Sequence, residues 1–442
     1  MSGWVLLGLP GYAYLAGLEA FWITLGLTIG VAANWMLMAK RLRIYSVMLD
    51  DAVTVPSYLQ RRFADTKPWL KMISGLAILL FFLFYVGSGL IAGGKLFNAV
   101  FGLDYTVAVF SGVVLILFYT LFGGFLAVSW TDVFQGLLML TALIAVPVLV
   151  IGKAGGLGGF GDQVATVNPE LLNIFTNAKG ESLSILEIVS LLGWGLGYFG
   201  LPHVLARFKA IRSADEVGIA TAIGVSWSFV GYLMAILVGL CGTVYLADPL
   251  LDSERVFIEL TGLIFHPVIA GVLLAAILAA IMSTVDSQLL VCSATLAEDL
   301  YPMLVKQSLT AEKRLQIGRI AVVALALLAT VLAMRPDSKV LDVVSYAWAG
   351  LGASLGPAIL LSLYWRGMSA AGALAGILVG GGTVIIWEAL GSASYSSDIF
   401  DLFSLVPGFI FALIAIFLVT RLGGETENPE VLEQFDRMRN TL

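Results

Sequence analysis

Charge is scarce in this 442-residue sequence: only 12% of its residues are Asp, Glu, Lys or Arg, against 59% hydrophobic. That balance excludes an ordinary soluble domain, because the chain holds many uncharged runs long enough to cross a bilayer. Cysteine is nearly absent. Cys241 and Cys292 both fall in apolar segments, which argues against a disulfide framework or a cysteine metal site. The two histidines, His203 and His266, sit at segment ends, where an interfacial role suits them better than catalysis. No GxxxxGKT phosphate loop occurs, so ATP is not expected to drive the protein. Nothing in the sequence points to nucleic acid, enzymatic chemistry or an obligate protein partner. The opening "MSGWVLLGLP" lacks a basic leader and a small-residue cleavage site, and reads as if entered part-way.

What is present is a series of about twelve apolar segments, near residues 2–17, 19–38, 72–94, 105–123, 130–151, 185–202, 217–246, 267–297, 319–334, 342–365, 370–390 and 404–420. Lipid offers no partners to free backbone groups, so these segments are expected to be helices; barrel strands would be shorter and would alternate. The expected fold class is an all-α polytopic membrane protein, with a transmembrane domain over 1–420 and a tail over 421–442. If direction alternates, one set of loops (39–71, 203–216, 298–319, Arg366 and the tail) carries 18 of the 24 Lys and Arg residues. The positive-inside rule makes that side cytoplasmic, and with it the soluble tail. The Gly-rich stretch 152–184, with only Lys153 and Lys179, then lies outside.

Two short motifs are set aside. "GLGYFG" (Gly195–Gly200) fits a dinucleotide-binding pattern, but no strand precedes it. "GFGD" (Gly159–Asp162) resembles an intramembrane aspartyl protease motif, yet falls in the outer loop and reads better as a turn.

The stretch "AAIMSTVDSQLLVCS" (Ala279–Ser293) follows sixteen uncharged residues with a burst of oxygen atoms. At ~100° per residue, Ala280, Ser283, Thr284 and Ser287 form one narrow stripe on a helix. A single hydroxyl in a membrane helix commonly bonds back to the carbonyl one turn earlier. A cluster of neutral oxygens can also replace the hydration shell of a hard cation, and because these groups do not titrate near neutral pH they suit Na⁺ better than H⁺. Asp286 lies roughly 110° around from the stripe, on a neighbouring polar surface. An intramembrane carboxylate marks either a pathway or a packing partner.

Within "LLGWGLGYFGLPHVLAR" (Leu191–Arg207), Gly193, Gly195, Gly197, Gly200 and Pro202 make a poor helix interior, so the helix is expected to break there. Broken helices at membrane depth line cavities and set half-helix ends against substrate and ion. Trp194, Tyr198 and Pro202 are spaced to share one surface; close glycine packing of helices is the other reading.

From "MSGWVLLGLPG" through "YTLFGGFLAVSWTD", "GWGLGYFGLPHVLARF", "ERVFIEL", "AAIMSTVDSQLLVCS…EDLY" and "SYAWAGLGASLGP" to "VPGFIF", the sequence resembles the sodium/solute symporter family over nearly its whole length, and within it the members that carry proline. The resemblance implies a LeuT-like core, an inverted repeat of two five-helix halves followed by extra C-terminal helices, with 185–202 as the unwound first helix of the second half. It implies sodium held by the carbonyls of Met1 and Ala280 and the hydroxyls of Ser283 and Thr284. It implies L-proline against Ser2, Gly3, Trp194, Tyr198 and Pro202. Asp132 matches a family carboxylate linked to sodium coupling or release, although "SWTD" before an apolar run is also a helix N-terminus signature. Asp286 joins it as a coupling or gating candidate.

Family members have a further helix and a half before the position of Met1, so the sodium site as written is incomplete. The expectation is that the sequence starting at Met1 does not transport proline and that a longer form does. The functional expectation is sodium-coupled uptake of L-proline by a multi-pass protein of the cell membrane, with Na⁺, proline and lipid as its partners. Symport of another amino acid or a monocarboxylate, and an inactive truncated product, are the alternatives.

Overall fold

A backbone without water must pair its polar groups internally, and helices satisfy that demand along nearly the whole chain. The computed structural model describes residues 2–122, 125–305, 310–392 and 398–442. Met1, expected to supply a sodium-coordinating carbonyl, lies outside them. The apolar helices are α1 (3–16), α2 (21–48), α3 (Trp69–Phe101), α4 (Tyr105–Phe122), α5 (Phe125–Lys153), α6 (185–210), α7 (Val217–Tyr245), α8 (Pro267–Val305), α9 (Ala311–Ala333), α10 (Val340–Tyr364), α11 (Ala370–Gly391) and α12 (Leu405–Gly423). Among the described residues, nine continuous helical stretches have the length and hydropathy to cross a membrane; a tenth is counted if the bent α6 is one span, and Tyr105–Leu121 is a shorter apolar helix.

The first of the nine, Gly3–Met48, runs 46 residues but folds back on itself. Trp4 packs its ring 5.6 Å from that of Trp194, and Gly30 touches the next residue along α6, Gly195. A continuous helix would hold residues 4 and 30 about 39 Å apart. The reversal occurs at Gly17, whose φ of +68° suits glycine and whose bare face abuts Leu171.

Partner exchange between α1–α5 and α6–α10 shows how the halves relate. α1 packs along α7 as α2 packs along the middle of α6; α3 packs along α10 as α8 packs along α5. Swapping the halves reproduces the same pairs, which is the behaviour of a twofold-related repeat. Five helices per half is an odd number, so α6 enters from the side opposite to α1 and the repeat is inverted. α11 and α12 pack against each other and on α10.

Both first helices are irregular. α1 kinks at Leu7, between Gly3–Leu6 and Gly8–Ala16, where Pro10 offers no N–H to the carbonyl a turn earlier. α6 starts with a capping box in which Ser184 and Glu187 each accept the other's backbone N–H. It tightens to a 3₁₀ helix over Gly193–Gly200, extends at Leu201, and restarts at Pro202 after a bend of 49°. The glycines also bring backbones together: a Cβ on Gly30 would lie 2.5 Å from Gly195 Cα. A break and close packing, set out above as alternatives, coexist here.

Three expectations need correction. The stretch Gly159–Asp162 is not a turn but part of the helix Leu157–Val167, which buries Phe160 and Val164; the turn comes just before it, at Gly155 and Gly156. His203 is not interfacial, because the bend of α6 carries it inward against Phe82 and Tyr85, with ring separations of 5.5 and 6.0 Å. The tail is not free in solvent. Its helix Pro429–Thr441 buries Val431, Phe435 and Met438 and packs on the end of α2. There Arg62 is fully buried beside Tyr45 and Phe435, and Arg366 hydrogen-bonds Asp436, holding that carboxyl below its usual range.

Candidate functional site

The stripe on α8 faces the start of α1. Ser2, Gly3 and Trp4 of α1, Tyr85, Ser88 and Gly89 of α3, and Ile281, Thr284, Val285 and Gln288 of α8 enclose a cavity of about 10 Å³. That volume is near the minimum for one water-sized guest. Its walls are rich in neutral oxygen. Ser2 Oγ is buried without a hydrogen-bond partner among the described residues, and so are both amide atoms of Gln288, a residue with no solvent exposure. An orphaned buried amide is costly unless something that enters the site satisfies it.

Ser283 makes the back-bond that an isolated membrane hydroxyl usually makes, with Oγ 3.0 Å from the Ala280 carbonyl. This bond also sets two of the proposed ion ligands side by side. Ser287 Oγ bonds to the Ser283 carbonyl and accepts from Arg207 at 2.7 Å. Of the expected sodium ligands, Thr284 lines the cavity while Ala280 and Ser283 do not; hydroxyl and carbonyl oxygens are the donor types a hard monovalent cation takes.

Beyond Trp4 lies an aromatic layer. Trp194 stacks on Phe403 at 5.0 Å, and its carbonyl accepts from Trp348 Nε1 at 2.8 Å. Tyr198 hydrogen-bonds Tyr232 through their hydroxyls and meets Trp348 edge-on at 5.0 Å. The structure thus brings Ser2, Gly3 and Thr284 together around the cavity and Trp194 and Tyr198 together one ring away, across Trp4. Pro202 is buried as the first residue of the restarted helix and lines neither feature.

The two carboxylates part company. Asp132 sits in the third turn of α5, not at its first, so the helix-N-terminus reading does not hold. Its Oδ2 pairs with Arg207 at 2.5 Å, and through Arg207 it reaches Ser287. Arg207 also donates to the His203 carbonyl, which links α5, α6 and α8 at one point. Asp286 is fully buried and accepts from Thr120 of α4. It has the packing partner that was one of its two readings, and it faces away from the stripe.

Sequence reasoning passed over Trp4, Gln288, Arg207, Tyr232 and Trp348. For Gln288 a signal existed: Ala280, Thr284 and Gln288 are spaced i, i+4, i+8 and share a helix face. For Tyr232 and Trp348 there was none, because their importance comes from contacts with α6 made only in three dimensions.

The profile of the sodium:solute symporter family matches residues 1–380 of this sequence. The chain belongs to the sodium:solute symporter family. This symporter is 44% identical to the high-affinity proline transporter PutP of Bacillus subtilis (strain 168), over 100% of this chain and 92% of the relative. It is 43% identical to that organism's osmoregulated proline transporter OpuE, over 96% and 85%. It is 45% identical to the sodium/proline symporter of Salmonella typhimurium, over 96% and 83%. Among solved structures, a Na⁺-coupled sialic acid symporter superposes with a TM-score of 0.76 at 20% identity, covering 96% of this chain and 88% of that one. Mhp1, a nucleobase-cation-symport-1 family transporter, gives 0.53 at 14% identity, covering 100% and 96%. At these identities the structures establish the fold alone, and they agree with the inverted five-helix repeat.

Proposed function

We propose that this symporter couples inward movement of Na⁺ to uptake of L-proline across the cell membrane, with its basic loops and C-terminal helix on the cytoplasmic side. One observation carries the reading: a small chamber of neutral oxygens lies beside an aromatic layer at the break of α6, in a chain some 44% identical along its length to proline symporters. A zwitterion with an apolar ring needs both surfaces. The aromatic rings offer contact area to the pyrrolidine, and Ser2 and Gln288 offer hydrogen bonds to its charged end. Sodium sits at Ala280, Ser283 and Thr284, with Asp132 and Arg207 controlling its way out. Asp286 supports this coupling route from behind, by holding α4 against α8. One Na⁺ carried with a zwitterion moves one net charge, and at ~2.3 kcal/mol per 100 mV this alone sustains a proline gradient of roughly fifty-fold.

The test is uptake of labelled proline into vesicles containing the protein. Uptake is expected to require an inward Na⁺ gradient. Trp194→Ala or Tyr198→Ala should raise the proline KM at least about tenfold, the loss of a buried aromatic face, while the sodium requirement stays nearly constant. Uptake that runs equally on a pH gradient without Na⁺ would defeat the coupling assignment. An equal loss for both ligands would make α6 a structural helix only.

A further inference from the structure

Taking the substrate site just proposed as its basis, we infer that Tyr232 of α7 and Trp348 of α10 are positioning residues: they lock Tyr198 and Trp194 in place and thereby set the ring size of the imino acid the protein accepts. The two aromatic walls stand on a stretch of backbone that is tightened, glycine-rich and followed by an extended residue, so the local helix does little to fix where their rings point. Something outside α6 must fix them. The contacts that do so are specific. Tyr198 is tied at its hydroxyl to the hydroxyl of Tyr232, a residue 1% exposed that also stacks on Trp4 with ring centroids 6.1 Å apart. Trp194 is tied at its carbonyl by the Trp348 indole N–H, and the edge of the same indole holds the Tyr198 ring. Trp348 has no room to turn, since it is 3% exposed and lies against Gly197 on one side and Trp4 on another.

None of the four rings lines the cavity at Ser2 and Gln288, which the aromatic layer meets through Trp4; Tyr232 and Trp348 act by holding Tyr198 and Trp194, to which they are hydrogen-bonded. Removing the Tyr232 hydroxyl orphans that of Tyr198 in a dry interior, and the ring must swing to find another partner. A hydrophobic pocket distinguishes ligands that differ by one methylene by roughly ten- to two-hundred-fold, but only while its walls stay where they are. The consequence is a change in selectivity. Pipecolate, the six-membered homologue of proline, should be admitted once a wall is free to retreat.

The experiment measures uptake of proline and pipecolate by the full chain in vesicles, for wild type, Tyr232→Phe, Trp348→Phe, Tyr198→Phe and the double variant Tyr198→Phe/Tyr232→Phe, matched for membrane abundance. Tyr232→Phe removes one oxygen and should leave folding intact. We expect it to raise the proline KM about fivefold, cut the preference for proline over pipecolate about tenfold as a freed wall gives up one-methylene discrimination, and leave the maximal rate and the sodium requirement unchanged. The double variant should be no worse than Tyr198→Phe alone. Trp348→Phe should relax the preference in the same direction. Unchanged KM and preference in Tyr232→Phe, or losses that multiply in the double variant, would overturn the inference. If Trp194→Ala and Tyr198→Ala leave proline uptake untouched, the site reading itself fails, and the two failures are thereby told apart.

Discussion

Replacing Glu254 by Ala should destabilise the protein by about 3–5 kcal/mol and abolish transport, the cost typical of stranding one member of a buried ion pair. Glu254 lies just before the short helix Val256–Ile264 and is 2% exposed. Its carboxylate meets Lys95 Nζ of α3 at 2.6 Å and accepts the backbone N–H groups of Val340 and Leu341 at 2.8 and 2.9 Å. It therefore neutralises a buried lysine and caps the start of α10 with the same two oxygens. Gly11 of α1 presses against its backbone. Without the carboxylate, Lys95 keeps Asp252, at 2.9 Å and partly solvated, as its one carboxylate partner among the described residues, and the first N–H groups of α10 lose their acceptor. Glu254→Gln retains an acceptor oxygen and should be milder. The double variant Lys95→Met/Glu254→Gln should recover much of the stability, because an unpaired buried charge is costlier than a missing pair. Thermal unfolding of the purified variants checks this, alongside vesicle uptake. A Glu254→Ala protein that melts with wild type would mean the pair is solvated and contributes little.

The second large effect is expected at the stripe. Ser283→Ala combined with Thr284→Ala should raise the sodium concentration for half-maximal uptake about a hundredfold, about tenfold per lost oxygen if each ligand contributes ~1.4 kcal/mol. Each single change should give roughly the tenfold step that this figure implies. The geometry favours Thr284 as the more sensitive, since it lines the cavity and Ser283 does not. Proline affinity measured at saturating sodium should change little. A double variant with ordinary sodium dependence would show that the stripe only packs helices and that the ion binds elsewhere.

Much of this was legible in the sequence because membranes simplify the code. Long apolar runs could only be helices, and the glycines of Gly193–Gly200 with Pro202 marked either a break in one of them or a close packing of two, which the structure combines. The stripe was legible for the same reason, since helical angle follows from spacing alone. What spacing could not convey was partnership across helices. Asp132 read equally well as a helix start or a coupling group; its place within α5 removes the first reading, and only the fold brings Arg207 beside it. Lys95 lies one residue past the expected segment 72–94, and only the fold brings it to Glu254. The tail read as soluble because half its residues are charged or amidated, yet Val431, Phe435 and Met438 lie three and four apart and form one apolar face. That periodicity was visible, and its seat on Tyr45 and Arg62 was not.

The bare contact between α2 and α6 at Gly30 and Gly195 bears on how force passes through the molecule. Most helix interfaces are cushioned by side chains, whose rotamers can absorb a small shift. Here backbone meets backbone, and there is nothing compressible in between. A displacement of the α6 break therefore presses directly on the backbone of α2. α2 continues from that point, through a π-helical stretch at Trp35–Ala39, to Met48, where the C-terminal helix rests on it, so one helix joins the glycine contact to the tail. A reporter group attached to that tail is therefore expected to sense movement of α2, and through the glycine contact movement of the α6 break.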